Sequence, residues 1–191
     1  MKESDFTTHE RGYYITDVEL IGGVCEKSIV ESIISLFDLK TVVDIGCGAG
    51  RHTEQLLDAG IQCIGYDGNP LTPELTNGIC KVLDFSKPVD IGLFDLVLSL
   101  ETGEHIPKKY EEIFIDNLCR ATEKTIVLSW AFEGMVWPGH VNCQNNDYVI
   151  SEMAKRKFIF DVKSTEYIRS KVTGWLHFKH TLMAFIKEKN D

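Results

Sequence analysis

The strongest constraint on the fold lies in residues 42–68, VVDIGCGAGRHTEQLLDAGIQCIGYDG. Thr41 to Ile45 is a short apolar run suited to a buried parallel strand, with the Asp44 carboxylate near its C-terminal end. Gly46, Gly48 and Gly50 then permit a sharp turn and close approach of a ligand, because none carries a Cβ. From Ala49 the pattern becomes helical, with Leu56, Leu57 and Ala59 on one face and Gly60 as the stop. Ile61 to Tyr66 is a second strand with Asp67 at its tip. Strand, glycine turn, helix, strand and acid form one half of a nucleoside-binding sheet, whose acid can accept both hydroxyls of a ribose.

The glycine spacing selects among nucleosides. A dinucleotide fold uses G-x-G-x-x-G, whereas this chain has G-x-G-x-G with Asp44 two residues ahead of the first glycine. A carboxylate there repels a pyrophosphate and favours an ammonium or sulfonium. Asp44-Ile45-Gly46-Cys47-Gly48-Ala49-Gly50 resembles the first motif, D/E-x-G-x-G-x-G, of class I S-adenosylmethionine (SAM)-dependent methyltransferases. The resemblance runs strongly over residues 41–106 and loosely beyond. It implies SAM as cofactor and an α/β, doubly wound Rossmann-like sheet of seven strands, the last antiparallel, with helices on both faces. It further implies that Asp44 lies near the methionine ammonium and that Gly46, Gly48 and Gly50 let the backbone approach the ligand. By the same resemblance Asp67 is expected to bind the ribose, Gly68 and Asn69 to border the adenine, Asp84 to accept from the adenine amino group, and Phe85 to lie beside the ring. Asp95 is similar to a structural acid of the fourth strand and stays outside the site.

Read for periodicity, the remaining chain alternates helices and strands throughout. Helices are expected over 24–37, 109–121 and 147–157, and strands over 79–83, 94–100, 124–131, 158–163 and 181–187. The 191 residues suffice for a single domain, 1–191, with 1–23 as a possible N-terminal lid that brings Tyr14 to the site. Six cysteines fall singly and the first twelve residues are polar and charged, so a reduced, cytoplasmic protein without a leader is expected. No apolar run approaches membrane-spanning length. A formal charge of −9 lacks the basic footprint of a nucleic-acid binder. A monomer or homodimer with a small-molecule acceptor is the economical expectation.

Two stretches address the acceptor. SLETGEHIPKKY, residues 99–110, places Glu101, Glu104 and His105 just beyond the fourth strand. His105 has the intrinsic pKa of a general base, although E-x-x-E-H-x-P resembles a pattern of small-molecule methyltransferases in which the histidine often only orders the pocket. E-x-x-E-H also resembles the metal-binding segment of small-RNA 3′-terminal 2′-O-methyltransferases. That alternative implies Mg²⁺ or Mn²⁺ on Glu101, Glu104, His105 and His140. The favoured expectation is no metal, with His105, Glu104 and His140 as catalytic candidates. SWAFEGMVWPGHVNCQNNDY, residues 129–148, supplies Trp130, Phe132, Trp137, His140 and Asn142 as pocket candidates, and Asn145 or Asn146 as a helix cap. No [DN]-P-P-[FYW] and no Pro-Cys follows the fourth strand, so N6-adenine, glutamine-amide and cytosine-C5 acceptors are set aside. O-, N- or S-methylation of a small molecule remains, beside a non-catalytic SAM-binding scaffold.

Overall fold

The computed structural model describes residues 7–16 and 25–189. Seven strands form one sheet: β1 (Thr41–Ile45), β2 (Gln62–Asp67), β3 (Cys80–Val82), β4 (Phe94–Ser99), β5 (Thr122–Ser129), β6 (Phe158–Phe160) and β7 (Leu182–Lys187). The helices are α1 (Lys27–Leu36), α2 (Arg51–Asp58), α3 (Thr72–Leu75), α4 (Glu111–Ala121), α5 (Asn146–Lys155), α6 (Val162–Lys171) and α7 (Phe178–Thr181). The strand order is β3-β2-β1-β4-β5-β7-β6. β1 to β5 pair in parallel, and β7 runs antiparallel between β5 and β6. The sheet therefore reverses direction of travel at β1 and β4, the place where doubly wound sheets bind ligands at their strand C-termini.

The two faces of the sheet follow from the period of two along each strand. Val43, Val97, Ile126 and Leu128 point to one side, where Phe114 and Leu118 of α4 and Met153 of α5 pack. Val42, Leu96, Leu98 and Val127 point to the other, against Ile29 and Ile33 of α1, Leu56 of α2 and Ile168 of α6. Central strands buried on both faces are uninterrupted apolar runs, which is why β1 and β4 were legible.

The C-terminal third departs from expectation. The sixth strand ends at Phe160, and Asp161 accepts from the Ser164 amide at 3.1 Å to cap α6. The expected strand over 158–163 thus hides a capped helix start. α3, α6 and α7 were not foreseen; VKSTEYIRSK of α6 carries few apolar residues, so its period is faint. Asn145 does occupy the N-cap of α5, but its side chain donates to Glu133 instead of capping. Asp95 is structural: at the far end of the sheet it accepts from the Lys40 and Thr41 amides and pairs with Lys124 at 2.6 Å.

Candidate active site

A cavity of about 470 Å³ opens at the C-terminal ends of the parallel strands. Its wall includes Asp44, Gly46, Gly48, Asp67, Gly68, Asp84 and Phe85, so most of the expected cofactor residues converge there. Asp44 is buried, and its carboxylate accepts the Thr53 hydroxyl at 2.8 Å. Burial chiefly, with a contribution from the Asp67 charge, raises its pKa to about 7, against the hydrogen bonds from Thr53. Asp67 accepts the Gly48 amide at 2.9 Å and the Asn69 amide at 2.8 Å, which fixes the turn after β1 to the tip of β2. Asp84 follows β3. Burial raises its pKa, but the Ser86 hydroxyl and amide and the Lys87 ammonium outweigh that and hold it below its ordinary value.

The described part of the N-terminus closes one side of this cavity. Gly12, Tyr13 and Tyr14 line it. The Tyr13 ring lies so close over Gly68 that a Cβ at Gly68 would collide with it. Asn69 donates from its side chain to the Thr16 carbonyl at 2.8 Å, and Arg11 reaches Ser86 at 3.1 Å and Asp84 at 3.7 Å. The remainder of the expected lid, residues 1–6 and 17–23, lies outside the described residues.

Beyond β4 the chain enters a 3-10 turn, Gly103–His105. His105 donates Nδ1–H to the Gly139 carbonyl at 3.0 Å, and His140 donates Nδ1–H to the Met135 carbonyl at 2.9 Å. A carbonyl only accepts, so each neutral ring keeps its lone pair on Nε2. One ligand atom each of Glu104, His105 and His140 lies within 4.8 Å of the others. Glu104 is fully buried; its carboxylate oxygens have no well-formed hydrogen bond and lie against the Glu101 carboxyl and the Glu104 and Ala131 backbone. Burial first, then the Glu101 charge, push its pKa well above that of an ordinary carboxylic acid. Burial and His140 push His105 down to about 4. Such an imidazole is a poor proton acceptor near neutral pH, which argues against His105 as the general base.

Glu101 also lines the cavity, together with Tyr14, Trp137, His105 and His140, as expected. Six candidates, Phe132 included, do not line it. Glu104 sits behind the wall. Gly50, at φ +72°, is the N-cap of α2, and a Cβ there would meet Thr76 and Cys80. Asn69 is fully buried, its side chain turned to Thr16 and to the Leu71 amide. Trp130 is core: it packs edge-on against Phe114 and donates to the Asn142 carbonyl at 2.7 Å. Asn142 is buried and donates to Glu111 at 2.7 Å. Both tie the loop after β5 to α4 and leave the wall to Trp137 and His140.

Sequence reasoning missed Trp175 and His177, which reach the cavity from the segment between α6 and α7. The Gly174 and Trp175 amides each donate to Glu26 at 2.8 Å, anchoring that segment beside α1. No local pattern in TGWLH announces this; only its later place in the fold does.

Comparison with known proteins agrees with this geometry. Residues 43–125 match the family described as methyltransferase domain. A probable chloroplastic tocopherol O-methyltransferase from Oryza sativa subsp. japonica is 26% identical over 71% of this chain and 46% of its own length. The Arabidopsis thaliana tocopherol O-methyltransferase is 31% identical over 51% of this chain and 32% of its own length. The chain thus spans less than half the length of these curated relatives. Magnesium protoporphyrin IX methyltransferase from Synechocystis PCC 6803, solved with bound SAH, shares the fold with a TM-score of 0.64 at 17% identity, over 84% of this chain and 81% of that one. With its β1 glycine turn, its strand-end acids and its sheet order, the chain carries a methyltransferase domain over residues 43–125 and is similar in fold to class I, Rossmann-like SAM-dependent methyltransferases.

Proposed function

We propose that this protein transfers the methyl group of SAM to a small-molecule O, N or S acceptor. One observation carries the reading: Asp44, Asp67 and Asp84, each near the C-terminal end of a successive parallel strand, share one cavity wall with the Gly46–Gly48 turn. That wall suits a ligand with an ammonium, a ribose and an adenine in a row. The cavity has the size of a small-molecule site. Relatives named for tocopherol O-methylation and norajmaline N-methylation support a small acceptor without choosing the atom. Methyl transfer is an in-line displacement, so alignment and exclusion of water are the protein's main contributions. The segment 7–16 and the loop after β5 supply both by covering the cavity.

Six free cysteines support a reducing, cytosolic setting. Among the described residues no helix is long and apolar enough to cross a membrane. Calorimetric titration tests the cofactor: SAM and its demethylated product bind, and NAD does not. Asp67→Ala weakens that binding by removing ribose hydrogen bonds of about 1.5–3 kcal/mol each at a charged acceptor. A screen of acceptor classes by product mass then separates a transferase from a scaffold that only binds SAM.

A second reading places a divalent ion on Glu104, His105 and His140. The oriented Nε2 lone pairs and the buried Glu104 carboxylate, without a well-formed hydrogen bond, favour it, against the expectation that these residues hold none. Imidazole and carboxylate donors suit Mn²⁺, and the carbonyls on Nδ1 are the usual supports of metal-binding histidines. Bound there, the ion supplies Lewis acidity beside the acceptor. Glu101 is not needed for this set, because Ser129 and His177 engage it. The RNA acceptor that accompanied the metal alternative gains no support from a cavity lined, among the described residues, by four carboxylates and a single guanidinium, Arg51.

A further inference from the structure

We propose that the acceptor is a small amine, whose ammonium is received by the Glu101 carboxylate and whose proton is taken by the His177 imidazole. This rests on the methyl-transfer reading and narrows it.

Charge is the first ground. Among the described residues, Asp44, Asp67, Asp84 and Glu101 line the cavity, Arg51 is the sole guanidinium, and no lysine lines it. The first three acids sit on the cofactor wall, which leaves Glu101 as the carboxylate of the acceptor half. An anionic acceptor meets repulsion there, and a cationic one is drawn in.

The second ground is how Glu101 is built. It is one of three non-glycine residues at positive φ among the described residues, at +50°. Its amide donates to the Ser129 hydroxyl at 2.7 Å, and that hydroxyl donates to Glu101 Oε1 at 2.8 Å. Two bonds to one buried serine hold a strained backbone directly at the end of β4, and strain of this kind collects where a side chain must be aimed. Oε2 remains, with His177 Nε2 3.4 Å away. That Nε2 is buried and has no hydrogen-bond partner. An ammonium seated on Oε2 therefore has a second acceptor beside it in the Nδ1-protonated tautomer of His177. Tyr14, Trp137 and Trp175 line the same region and suit the alkyl or aryl body of an amine and its positive charge.

The step balances without a further reactant. Neutral His177 takes one proton from R–NH₃⁺ and becomes an imidazolium in charge contact with Glu101. The freed nitrogen lone pair attacks the SAM methyl, the C–N bond forms and the C–S bond breaks. The sulfonium leaves as the neutral thioether S-adenosylhomocysteine, the product as R–NH₂–CH₃⁺, and His177 returns its proton to water.

The test uses the whole protein saturated with S-adenosylhomocysteine. Phenethylamine, benzylamine and tryptamine are titrated against their matched alcohols and carboxylates. At least one amine is expected to bind about tenfold or more above its alcohol, as a charge-assisted hydrogen bond gives, and no carboxylate to exceed its alcohol. Glu101→Gln brings amine and alcohol together while S-adenosylhomocysteine affinity stays unchanged. Ser129→Ala, which only frees Glu101, lowers the preference partly, and serves if Glu101→Gln does not fold. His177→Gln keeps amine binding but slows methylation of the preferred amine on the order of 10²-fold, as loss of a general base does. Amines no tighter than alcohols, a preference that survives Glu101→Gln, or a bound amine that is not methylated overturns the proposal. Wild-type protein that fails to bind S-adenosylhomocysteine overturns the cofactor reading beneath it instead.

Discussion

Tyr14 donates its hydroxyl to the Pro138 carbonyl at 2.7 Å, tying the N-terminal segment to the loop after β5 across the cavity. The same ring stands edge-on to His105 with centroids 5.2 Å apart. Burial, then the Glu104 charge, raise its pKa to about 12, partly offset by a hydrogen bond with Trp137, so the phenol remains a donor at neutral pH. Tyr14→Phe keeps the packing and removes this tie. Cofactor affinity is expected to fall by about three- to tenfold, the worth of one hydrogen bond, with the loss in dissociation rate. Stopped-flow release of S-adenosylhomocysteine measures it; an unchanged rate means the segment does not act as a cover.

If Asp44 receives the methionine ammonium as proposed, SAM binding is expected to depend on pH. Its pKa in the free protein is raised to about 7, so below that pH it carries a proton. The methionine ammonium of SAM favours the carboxylate, so binding releases a proton and strengthens as pH rises toward and through 7, then levels off. Between pH 6 and 7 the gain approaches tenfold per unit at most. Titration in buffers of different ionisation enthalpy counts the proton, and Asp44→Asn removes both the release and the pH slope.

His52 sets an acid limit on stability. It is buried and accepts the Glu26 amide at 3.2 Å on Nε2, so it must be neutral when folded. Burial lowers its pKa from 6.5 to about 4, against a smaller opposing pull from Glu26. The unfolded chain therefore binds more protons between these values. The His52 contribution is expected to be complete above pH 6.5 and to fall by roughly 3 kcal/mol as pH drops toward 4. His52→Gln retains an acceptor and cannot charge. Its urea midpoint should vary less than wild type between pH 6.5 and 4.5; parallel curves for the two proteins refute the assignment.

The ion reading has a direct assay that needs no acceptor. Excess Mn²⁺ is expected to raise the melting temperature of the wild-type protein, since a ligand bound only by the folded state stabilises it by mass action. Glu104→Gln should abolish the rise, His105→Ala should weaken it, and EDTA should reverse it. S-adenosylhomocysteine affinity should survive all three treatments. A melting temperature indifferent to Mn²⁺ leaves Glu104 as a buried acid whose pKa burial raises, and removes the ion from the mechanism.

The cavity wall assigned above to the cofactor was legible in the chain because its determinants are local. A parallel strand, a glycine turn and an acid two strands later are each written in consecutive residues, and the topology of a doubly wound sheet brings their ends together by necessity. Asp44, Asp67 and Asp84 therefore meet as their positions implied. Trp130 and Asn142 were misjudged because composition does not say which way a loop side chain turns. Trp130 is a large apolar surface on the residue after β5, and it packs into the core against Phe114.

The acceptor half depended on contacts far apart in sequence. His177 reaches Glu101 only after α6 has crossed the sheet and Glu26 has held the Gly174–Trp175 amides in place. Likewise Tyr14 meets Pro138 because both flank the same strand ends. The amino-acid sequence by itself determined the alternation of strands and helices, the glycine turn and the resemblance to methyltransferases. Tertiary packing alone decided which histidine faces which carboxylate, because a side chain's partner across 76 residues of chain is set by the burial of everything between them, not by any pattern around it.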